Sequence, residues 1–247
     1  MVVMAWQARG AGVNGRLWLY SCGRGARAQL ERGVTGDMDT EQLASDAAGI
    51  ARAADFLSAG RLVAFATETV YGLGADARNG EAVAHVYAAK GRPSFNQLIV
   101  HVADLDMAQR HGTFDEQALA LAEEFWPGPL SIVVPLAPGH GLSSLVTAGL
   151  DTVALRVPAH PVARALLARF NGPVAAPSAN PSGRISPTTP EHVMAGLKGK
   201  IDAILEGGTC TVGLESTIVG GTPPVLLRKG GVSEEEIAQI TGPLAQA

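Results

Sequence analysis

The sequence predicts a single α/β domain, built on a twisted mixed sheet with helices packed against it. Apolar strand-like runs alternate with segments of helical periodicity along most of the chain. No segment repeats with a period of 20 to 50 residues, which argues against a solenoid or a propeller. Of the 247 residues, 47% are hydrophobic, which is enough for one sizeable core, and no apolar run reaches the roughly 18 to 20 residues that a membrane helix needs.

The first 37 residues differ in composition from the rest. They contain seven glycines and five arginines but two acidic residues, and they show no sustained periodicity. A secretory leader would need a basic start followed by an apolar block, and that block is missing. We expect residues 1–37 to be a disordered or dispensable extension, with Met38 as an alternative start. The folded domain is then predicted to span residues 38–247.

The first half of this domain is predicted to alternate helices and strands around a polar loop. Residues 40–59 place apolar side chains at helical spacing and end at Gly60. The remaining predicted elements are a buried strand at 61–66, a hydroxyl-rich loop at 67–76, a helix at 80–90, a strand at 97–102 and a helix at 114–126. The last of these ends at W-P-G-P, because proline cannot continue a helix.

The second half repeats the alternation and adds two more polar loops. The predicted strands are 130–135, 152–157, 173–176, 202–205 and 225–228, and the predicted helices are 161–170, 190–197 and a final helix opened by the capping box Ser233 and Glu236. A glycine-bearing loop before residue 152 is long enough to act as a lid. The loops after residues 66, 176 and 205 are rich in glycine and hydroxyl groups, and we expect them to meet in one concavity.

Two cations at the end of the 80–90 helix suggest an anion site. Lys90 and Arg92 flank Gly91, and Pro93 follows. A glycine lets a phosphate approach the backbone while the two charges converge on it. The alternative is a pair of surface cations at a helix C-terminus, where positive charge is favourable in any protein.

Arg156 and His101 each lie inside an apolar strand, and each has two readings. A buried guanidinium needs an anionic partner, which is either an internal carboxylate or the carboxylate of a substrate. A strand histidine is more often a hydrogen-bonded core residue than a catalytic one. The polar groups of the three loops also have structural alternatives, as backbone caps or turns: Thr67, Glu68, Thr69, Ser178, Asn180, Ser216 and Thr217.

Several classes of site are not supported by the sequence. The Walker, G-x-G-x-x-G and G-x-S-x-G patterns are absent, so a standard nucleotide fold or a serine hydrolase is not indicated. Cys22 and Cys210 form no C-x-x-C pair, and no cluster of ligands predicts a protein-caged metal. The net charge of −4 argues against a protein that coats nucleic acid. A reducing cytoplasm is the simplest location.

Taken together, six motifs resemble the YrdC-like L-threonylcarbamoyladenylate synthases over about residues 41–237. The motifs are T-E-T-V-Y-G-L-G, K-G-R-P, W-P-G-P-L, L-R-V-P, P-S-A-N-P-S-G and E-S-T-I-V. The resemblance implies a concave, positively lined cavity on the mixed sheet. It also implies an enzyme that combines L-threonine, bicarbonate or CO2, and ATP into threonylcarbamoyl-AMP and pyrophosphate. A separate transferase complex would then place the threonylcarbamoyl group on a tRNA adenosine.

The same resemblance implies roles for individual residues. Catalytic positions would be Lys90, Arg92, Ser178 and Asn180. ATP would be contacted by Lys90, Arg92, Asn96, Thr152, Asn180, Thr188 and Arg228, and threonine by Thr69, His101, Arg156, Ser178 and Ser216. Mg²⁺ would be held mainly by ATP, because the chemistry needs two anions to be aligned and their charge neutralised.

The chain departs from the family pattern at two loop positions, and other functions stay open. Gln97 stands where the family usually has proline, and Ala66 replaces a proline before T-E-T. The chain ends at Ala247, as expected for the short form without an extra C-terminal domain. One alternative is a tRNA-binding or double-stranded RNA-binding module without synthase turnover. Another is a relative that makes or cleaves a different carbamoyl-adenylate.

Overall fold

A computed structural model describes residues 39–91 and 96–246. In these residues, one sheet contains the strands β1 (Glu41–Leu43), β2 (Val63–Phe65), β3 (Gly72–Asp76), β4 (Ile99–His101), β5 (Leu130–Pro135), β6 (Thr152–Arg156), β7 (Val174–Ala175), β8 (Ala203–Leu205), β9 (Thr217–Gly220), β10 (Val225–Arg228) and β11 (Ala245–Gln246). The helices are α1 (Ala47–Ser58), α2 (Gly80–Lys90), α3 (Leu105–Gln109), α4 (Glu116–Phe125), α5 (Ser144–Thr147), α6 (Pro161–Phe170), α7 (Pro190–Leu197) and α8 (Glu234–Thr241).

The sheet is mixed, as the sequence predicts. Its strand order is β1-β8-β2-β3-β7-β4-β6-β5-β9-β10-β11. It contains parallel pairs such as β4 with β6 and antiparallel pairs such as β2 with β3. The β4–β6 register sets His101 beside Arg156, so two of the residues singled out in the sequence become neighbours on adjacent strands.

The core consists of three apolar clusters packed on the sheet. One includes Leu130, Ile132 and Leu155. A second joins β2 to α1 and α6, which pack against each other, through Leu57 and Phe65. A third groups Tyr71, Leu73, Leu197 and Ile201 with their neighbours. Because the central strands are covered on both faces, their sequences read as continuous apolar runs rather than as alternating ones.

Most predicted elements are confirmed, including the ends of the helix that precedes the cation pair. Asn79 caps α2 by accepting from the backbone N–H groups of Glu81 and Ala82, and Gly91 ends it in the left-handed conformation at φ 59°. The capping box of Ser233 and Glu236 opens α8 as predicted.

Two predictions at the start of the domain are wrong. Residues 41–43 form strand β1 rather than the beginning of a helix, because they pair in parallel with Ala203–Leu205. Helix α1 starts only after Asp46, whose side chain accepts from the N–H of Gly49. Residues 72–76 are a strand rather than part of a loop, because they pair with Val63–Phe65.

Some predictions concern residues that the structure does not describe. The extension at residues 1–37, the alternative start at Met38, Arg92 of the cation pair and the following Pro93 lie outside the described ranges. Among the helices that are described, none has the length and apolar character needed to cross a membrane.

Candidate active site

The three predicted polar loops line one cavity of about 270 Å³. The cavity brings together eight of the residues predicted from sequence, namely Thr69, Lys90, His101, Arg156, Ser178, Asn180, Ser216 and Arg228. Within the described part of the chain, its charged lining consists of Lys90, Arg156, Arg228 and Glu215.

Backbone hydrogen bonds tie the three loops to each other. The loop after β2 is joined to the loop after β8, because the N–H groups of Val212 and Gly213 donate to the carbonyls of Glu68 and Thr69. It is joined to the loop after β7 through the N–H of Tyr71, which donates to the carbonyl of Pro187 at 2.8 Å. The polar loops are therefore held as one framework around the cavity rather than as independent segments.

Tyr71 adds a side-chain link between two of these loops. Its hydroxyl donates to the carbonyl of Gly208 at 2.8 Å and accepts from the N–H of Gly207 at 3.2 Å. Burial raises the pKa of Tyr71 to about 12, so its hydroxyl keeps its proton, and the link, across the neutral pH range.

Arg156 has an internal carboxylate partner, which was the first of the two alternatives for this residue. Its Nη2 lies 2.6 Å from Oε1 of Glu68, and both side chains are at least 90% buried. Its Nη1 donates to Oγ1 of Thr69 at 3.0 Å and its Nε to the carbonyl of Gly128 at 3.1 Å. Three of the five guanidinium N–H groups are thus used by described residues, and two remain for a ligand in the cavity.

Glu68 is a structural counterion with both oxygens engaged. Its second oxygen, Oε2, accepts from the backbone N–H of Ala159 at 3.0 Å. The carboxylate therefore joins the loop after β2 to the segment that follows β6. Its hydrogen bond and charge also fix the plane of the Arg156 guanidinium.

The hydroxyl of Thr69 is oriented by its neighbour Thr67. Oγ1 of Thr67 donates its single proton to the carbonyl of Val70 at 2.7 Å. The 2.8 Å contact between the two threonine hydroxyls must then use the proton of Thr69. Since Thr69 also accepts from Arg156, it presents a lone pair rather than a proton to the cavity.

His101 is neutral and buried beside this network. Its ring packs edge-on against Phe65, with 6.1 Å between ring centroids. Burial, reinforced by the charge of Arg156, lowers the pKa of His101 to about 3. Its Nδ1 has no hydrogen-bond partner among the residues that the structure describes. The sequence left two alternatives for this residue, a hydrogen-bonded core residue or a catalytic one. In the structure, the ring is neutral and lines the cavity.

Lys90 reaches from the end of α2 into the P-S-A-N loop. Its Nζ donates to the carbonyls of Ser178 and Asn180 at 2.5 and 2.7 Å, and 94% of the residue is buried. This geometry excludes the reading of Lys90 as an exposed surface cation. The ammonium group shapes the loop after β7 and supplies positive charge to the cavity wall.

Asn180 holds the other side of that loop. Its Nδ2 donates to the carbonyls of Pro181 and Arg184 at 3.0 and 2.8 Å. Its Oδ1 is buried and has no partner within residues 39–91 and 96–246. A buried acceptor without a partner costs on the order of 1–3 kcal/mol, so Asn180 is a candidate for direct contact with a ligand that donates a hydrogen bond.

Ser216 and Arg228 form a second charged corner of the cavity. Arg228 donates from Nε to the carbonyl of Ser216 and from Nη2 to its Oγ, at 3.0 and 2.9 Å. Oε2 of Glu215 lies 3.5 Å from the guanidinium, and Oε1 of Glu215 accepts from Ser186 at 2.7 Å. Burial lowers the pKa of Arg228. An arginine guanidinium is not deprotonated in proteins, so the group stays charged.

Three residues predicted to contact the nucleotide do not line this cavity. Asn96 is exposed, and its carbonyl accepts from the hydroxyl of Tyr87. Thr188 contacts His192 at 3.4 Å. Thr152 lines a separate, mostly apolar cavity of about 330 Å³ beside α4 and β5. Their nucleotide contacts, like those of Arg92, stay predictions.

Sequence reasoning gave no role to Glu215 and Ser131, and it noted Gln97 only as a departure from the family pattern. Glu215 lines the cavity, and Ser131 lies against Ser216 with 2.8 Å between the two Oγ atoms. Gln97 also lines the cavity, and its Nε2 donates to the carbonyl of Thr152 at 2.7 Å. A serine inside an apolar strand was the available signal for Ser131, since a buried hydroxyl needs a partner.

Comparison with known proteins identifies one family that accounts for both the fold and the motifs. The family model Sua5/YciO/YrdC, described as telomere recombination, matches residues 55–230. The chain belongs to the Sua5/YciO/YrdC family. This confirms the resemblance drawn from the six motifs, and the cavity lies within the matched region.

Relatives in this family carry an activity in their names. The threonylcarbamoyl-AMP synthase of Bacillus subtilis is 49% identical over 208 residues, which are 83% of this chain and 60% of the relative. The threonylcarbamoyl-AMP synthase of Schizosaccharomyces pombe is 47% identical over 228 residues, covering 83% of this chain and 55% of the relative.

A solved structure of the family has the same fold. The crystal structure of Pyrococcus abyssi Sua5 complexed with L-threonine matches with a TM-score of 0.80 and 44% identity, over 84% of this chain and 62% of that one. The chain thus spans about 55 to 62% of the length of these three proteins.

Proposed function

We propose that this chain is an L-threonylcarbamoyladenylate synthase, an ATP-using nucleotidyltransferase. It combines L-threonine, bicarbonate or CO2, and ATP into threonylcarbamoyl-AMP and pyrophosphate. The observation that carries the proposal is the single cavity in which Arg156, Lys90 and Arg228 converge with oriented hydroxyls, in a family whose relatives are named for this reaction. The crystal structure of a 44% identical relative with L-threonine further supports an amino-acid substrate.

The chemistry asks the protein to align groups rather than to supply a nucleophile. A carbamate oxygen attacks the α-phosphate of ATP, and pyrophosphate leaves. Two negatively charged reactants must be brought into line, so fixed cations and hydrogen-bond donors lower the barrier. Two N–H groups of Arg156 are unused by the described residues and are available to a substrate carboxylate, a group that arginine binds strongly. The absence of a nucleophile motif in the sequence agrees with this reaction.

We assign the residue roles from the family resemblance, and the geometry supports only those of the residues that line the cavity. Threonine is contacted by Thr69, His101, Arg156, Ser178 and Ser216, and ATP by Lys90, Arg92, Asn96, Thr152, Asn180, Thr188 and Arg228, with Lys90, Arg92, Ser178 and Asn180 as the catalytic set. The acceptor presented by Thr69 suits a donor group of the amino acid. The cations at Lys90 and Arg228 suit phosphate oxygens.

We assign Mg²⁺ to the substrate rather than to the protein. Within the described ranges, no three His, Cys, Asp or Glu side chains form a cluster that would hold a metal ion. The described carboxylate that lines the cavity, Glu215, is already engaged by Ser186 and Arg228. In this proposal, Mg²⁺ enters with the phosphates of ATP.

The product of this reaction requires a second protein. Threonylcarbamoyl-AMP is a mixed anhydride that a tRNA threonylcarbamoyl transferase complex consumes, in the cytoplasm. Residues 38–247 form the catalytic domain in this proposal.

Pyrophosphate release with and without L-threonine tests the proposed function. The protein is incubated with ATP, Mg²⁺ and bicarbonate, and pyrophosphate is measured with L-threonine, with D-threonine as a matched control, and without an amino acid. We expect pyrophosphate to be released in the reaction with L-threonine, and not in the reaction with D-threonine or without an amino acid. Release that is independent of threonine, or no release, would contradict the proposal. Salt-sensitive tRNA binding in place of release would favour the RNA-binding alternative.

A further inference from the structure

Ser131 is a fully buried hydroxyl, at the second position of an otherwise apolar strand. It lies on β5, pairs in register with Ile218 of β9, and is 0% exposed. Within the described residues, its side chain contacts one polar group, Oγ of Ser216 at 2.8 Å. Ser131 is absent from the cavity lining, whereas Ser216 belongs to it.

The protons of these two hydroxyls can be arranged in two ways. Ser216 already accepts from Nη2 of Arg228 at 2.9 Å. If Ser216 donated to Ser131, the proton of Ser131 would be left inside the sheet with no acceptor. If Ser131 donates to Ser216, the remaining proton belongs to Ser216, which faces the cavity. A buried donor without a partner is costly whereas a cavity can hold an acceptor, so the second arrangement is favoured.

The second arrangement gives Ser216 a fixed polarity. A hydroxyl oxygen has two acceptor sites, and Arg228 and Ser131 fill both. Ser216 can therefore interact with a ligand only by donating its proton. Thr69, on the loop after β2, has the opposite polarity, since it donates to Thr67 and accepts from Arg156.

We propose that Ser131 is a positioning residue, which holds the hydroxyl of Ser216 as a hydrogen-bond donor to an anionic oxygen of the substrate. The inference deepens the proposed function and rests on the same cavity. The acceptor is an oxygen of a carboxylate or of a phosphate, because the guanidinium of Arg228, whose Nη2 lies 2.9 Å from Oγ of Ser216, favours an anion nearby. A carboxylate and a phosphate are distinguished by whether L-threonine or Mg-ATP binds more weakly to the Ser131 variant.

A double-mutant cycle measured by direct binding tests this role. Titration calorimetry with L-threonine and, separately, with Mg-ATP is carried out on the unmodified chain, Ser131→Ala, Ser216→Ala and the double variant. We expect Ser131→Ala to weaken binding of one ligand by roughly three- to ten-fold, the size of one neutral hydrogen bond. In the Ser216→Ala background, the same change should have no further effect, because Ser131 acts through that hydroxyl. Loss with L-threonine identifies a carboxylate, and loss with Mg-ATP identifies a phosphate.

Two controls separate positioning from a general loss of packing. Ser131→Thr keeps the hydroxyl and should restore the affinity. Thr40→Val removes a buried hydroxyl that bonds Ile201 and Gly199 outside the cavity, and it should lower the melting temperature without changing either affinity. An equal loss from Ser131→Ala in both backgrounds, or no loss at all, would overturn the inference. Absence of pyrophosphate release together with intact binding would contradict the proposed function alone.

Discussion

The ion pair between Glu68 and Arg156 differs from the surface pairs of the molecule because water does not screen it. Its side chains are 10% and 4% exposed, whereas those of Glu41 and Arg52 are 43% and 54% exposed. Taking one member of a buried pair away leaves the other charged in a poorly solvated place, which costs far more than loss of an exposed pair. The same contact orients the guanidinium toward the cavity, so it serves stability and binding together.

Replacement of Glu68 should therefore be one of the most destabilising single changes at the site. We expect Glu68→Ala to lower the free energy of unfolding by about 3–5 kcal/mol, because it leaves Arg156 buried without its counterion. Arg52→Ala, which removes the exposed ion pair with Glu41, should lower the free energy of unfolding by at most about 1 kcal/mol. Urea denaturation of both variants measures the difference. Similar small losses for the two variants would show that the buried pair is not important for stability.

His101 links the stability of the fold to pH. Its pKa of about 3 in the folded protein lies below the ordinary value of 6.5. Between these values, the unfolded chain binds a proton at this position and the folded protein does not. Stability is fully present above the unfolded pKa and is lost as the pH falls through this window.

We expect His101→Gln to reduce the pH dependence of unfolding. Between roughly pH 6 and 4, the unmodified protein should lose up to about 1.4 kcal/mol per pH unit relative to the variant, in which this site no longer titrates. Urea denaturation at several pH values gives the two slopes, and other groups that titrate in both proteins cancel in the difference. Parallel slopes would mean that His101 is protonated in the folded state.

The elements with local signals are the ones that the sequence predicts well. Helix α2 has an asparagine N-cap and a glycine C-cap within its own sequence, and α8 has a capping box. These contacts join residues a few positions apart, so their pattern is visible without the fold. The candidate residues on such elements, including Lys90, were found for the same reason.

The elements that were missed lack a clear local signal in their own sequences. Strand β1 has three residues and is stabilised by β8, about 160 positions away. Strand β3 reads as a loop because of Gly72 and Gly74, but Gly74 permits close packing. A Cβ at this position would lie 2.9 Å from Cε1 of Phe65.

The site follows the same division between local and distant information. The sequence indicates that Arg156 needs an anionic partner, but not that Glu68, 88 positions earlier, provides it. Likewise, the hydrogen-bond partner of Ser131 is Ser216, 85 positions later, and the sequence does not indicate this pairing. Pairings of this kind are set by the strand order, which the local pattern of residues does not determine.

At the scale of the whole molecule, the described fold takes its first tertiary contacts at Thr40. Its Oγ1 donates to the carbonyl of Ile201 and accepts from the N–H of Gly199, both at 2.9 Å. Strand β1 follows directly and pairs with β8. The stable fold therefore begins at about residue 40.

Two truncations should consequently behave differently. A chain that starts at Met38 should unfold within about 0.5 kcal/mol of the full chain and release pyrophosphate at the same rate, as expected if residues 1–37 are dispensable. A chain that starts at residue 44 lacks β1 and the Thr40 contacts, and should lose on the order of 2–3 kcal/mol. Thermal and urea denaturation compare the three chains. A marked loss from the shorter truncation would assign the extension a role in the fold.

The described sheet has very short strands at both of its edges. β1 has three residues and β11 has two, while the longest strands lie inside. A short edge offers few unpaired backbone groups on which another chain can add a strand, so it protects against aggregation through edge-to-edge pairing. Loss of β1 would expose β8, whose Ala-Ile-Leu sequence is entirely apolar. Strand β1, with only three residues, thus helps to keep the protein dispersed at high concentration.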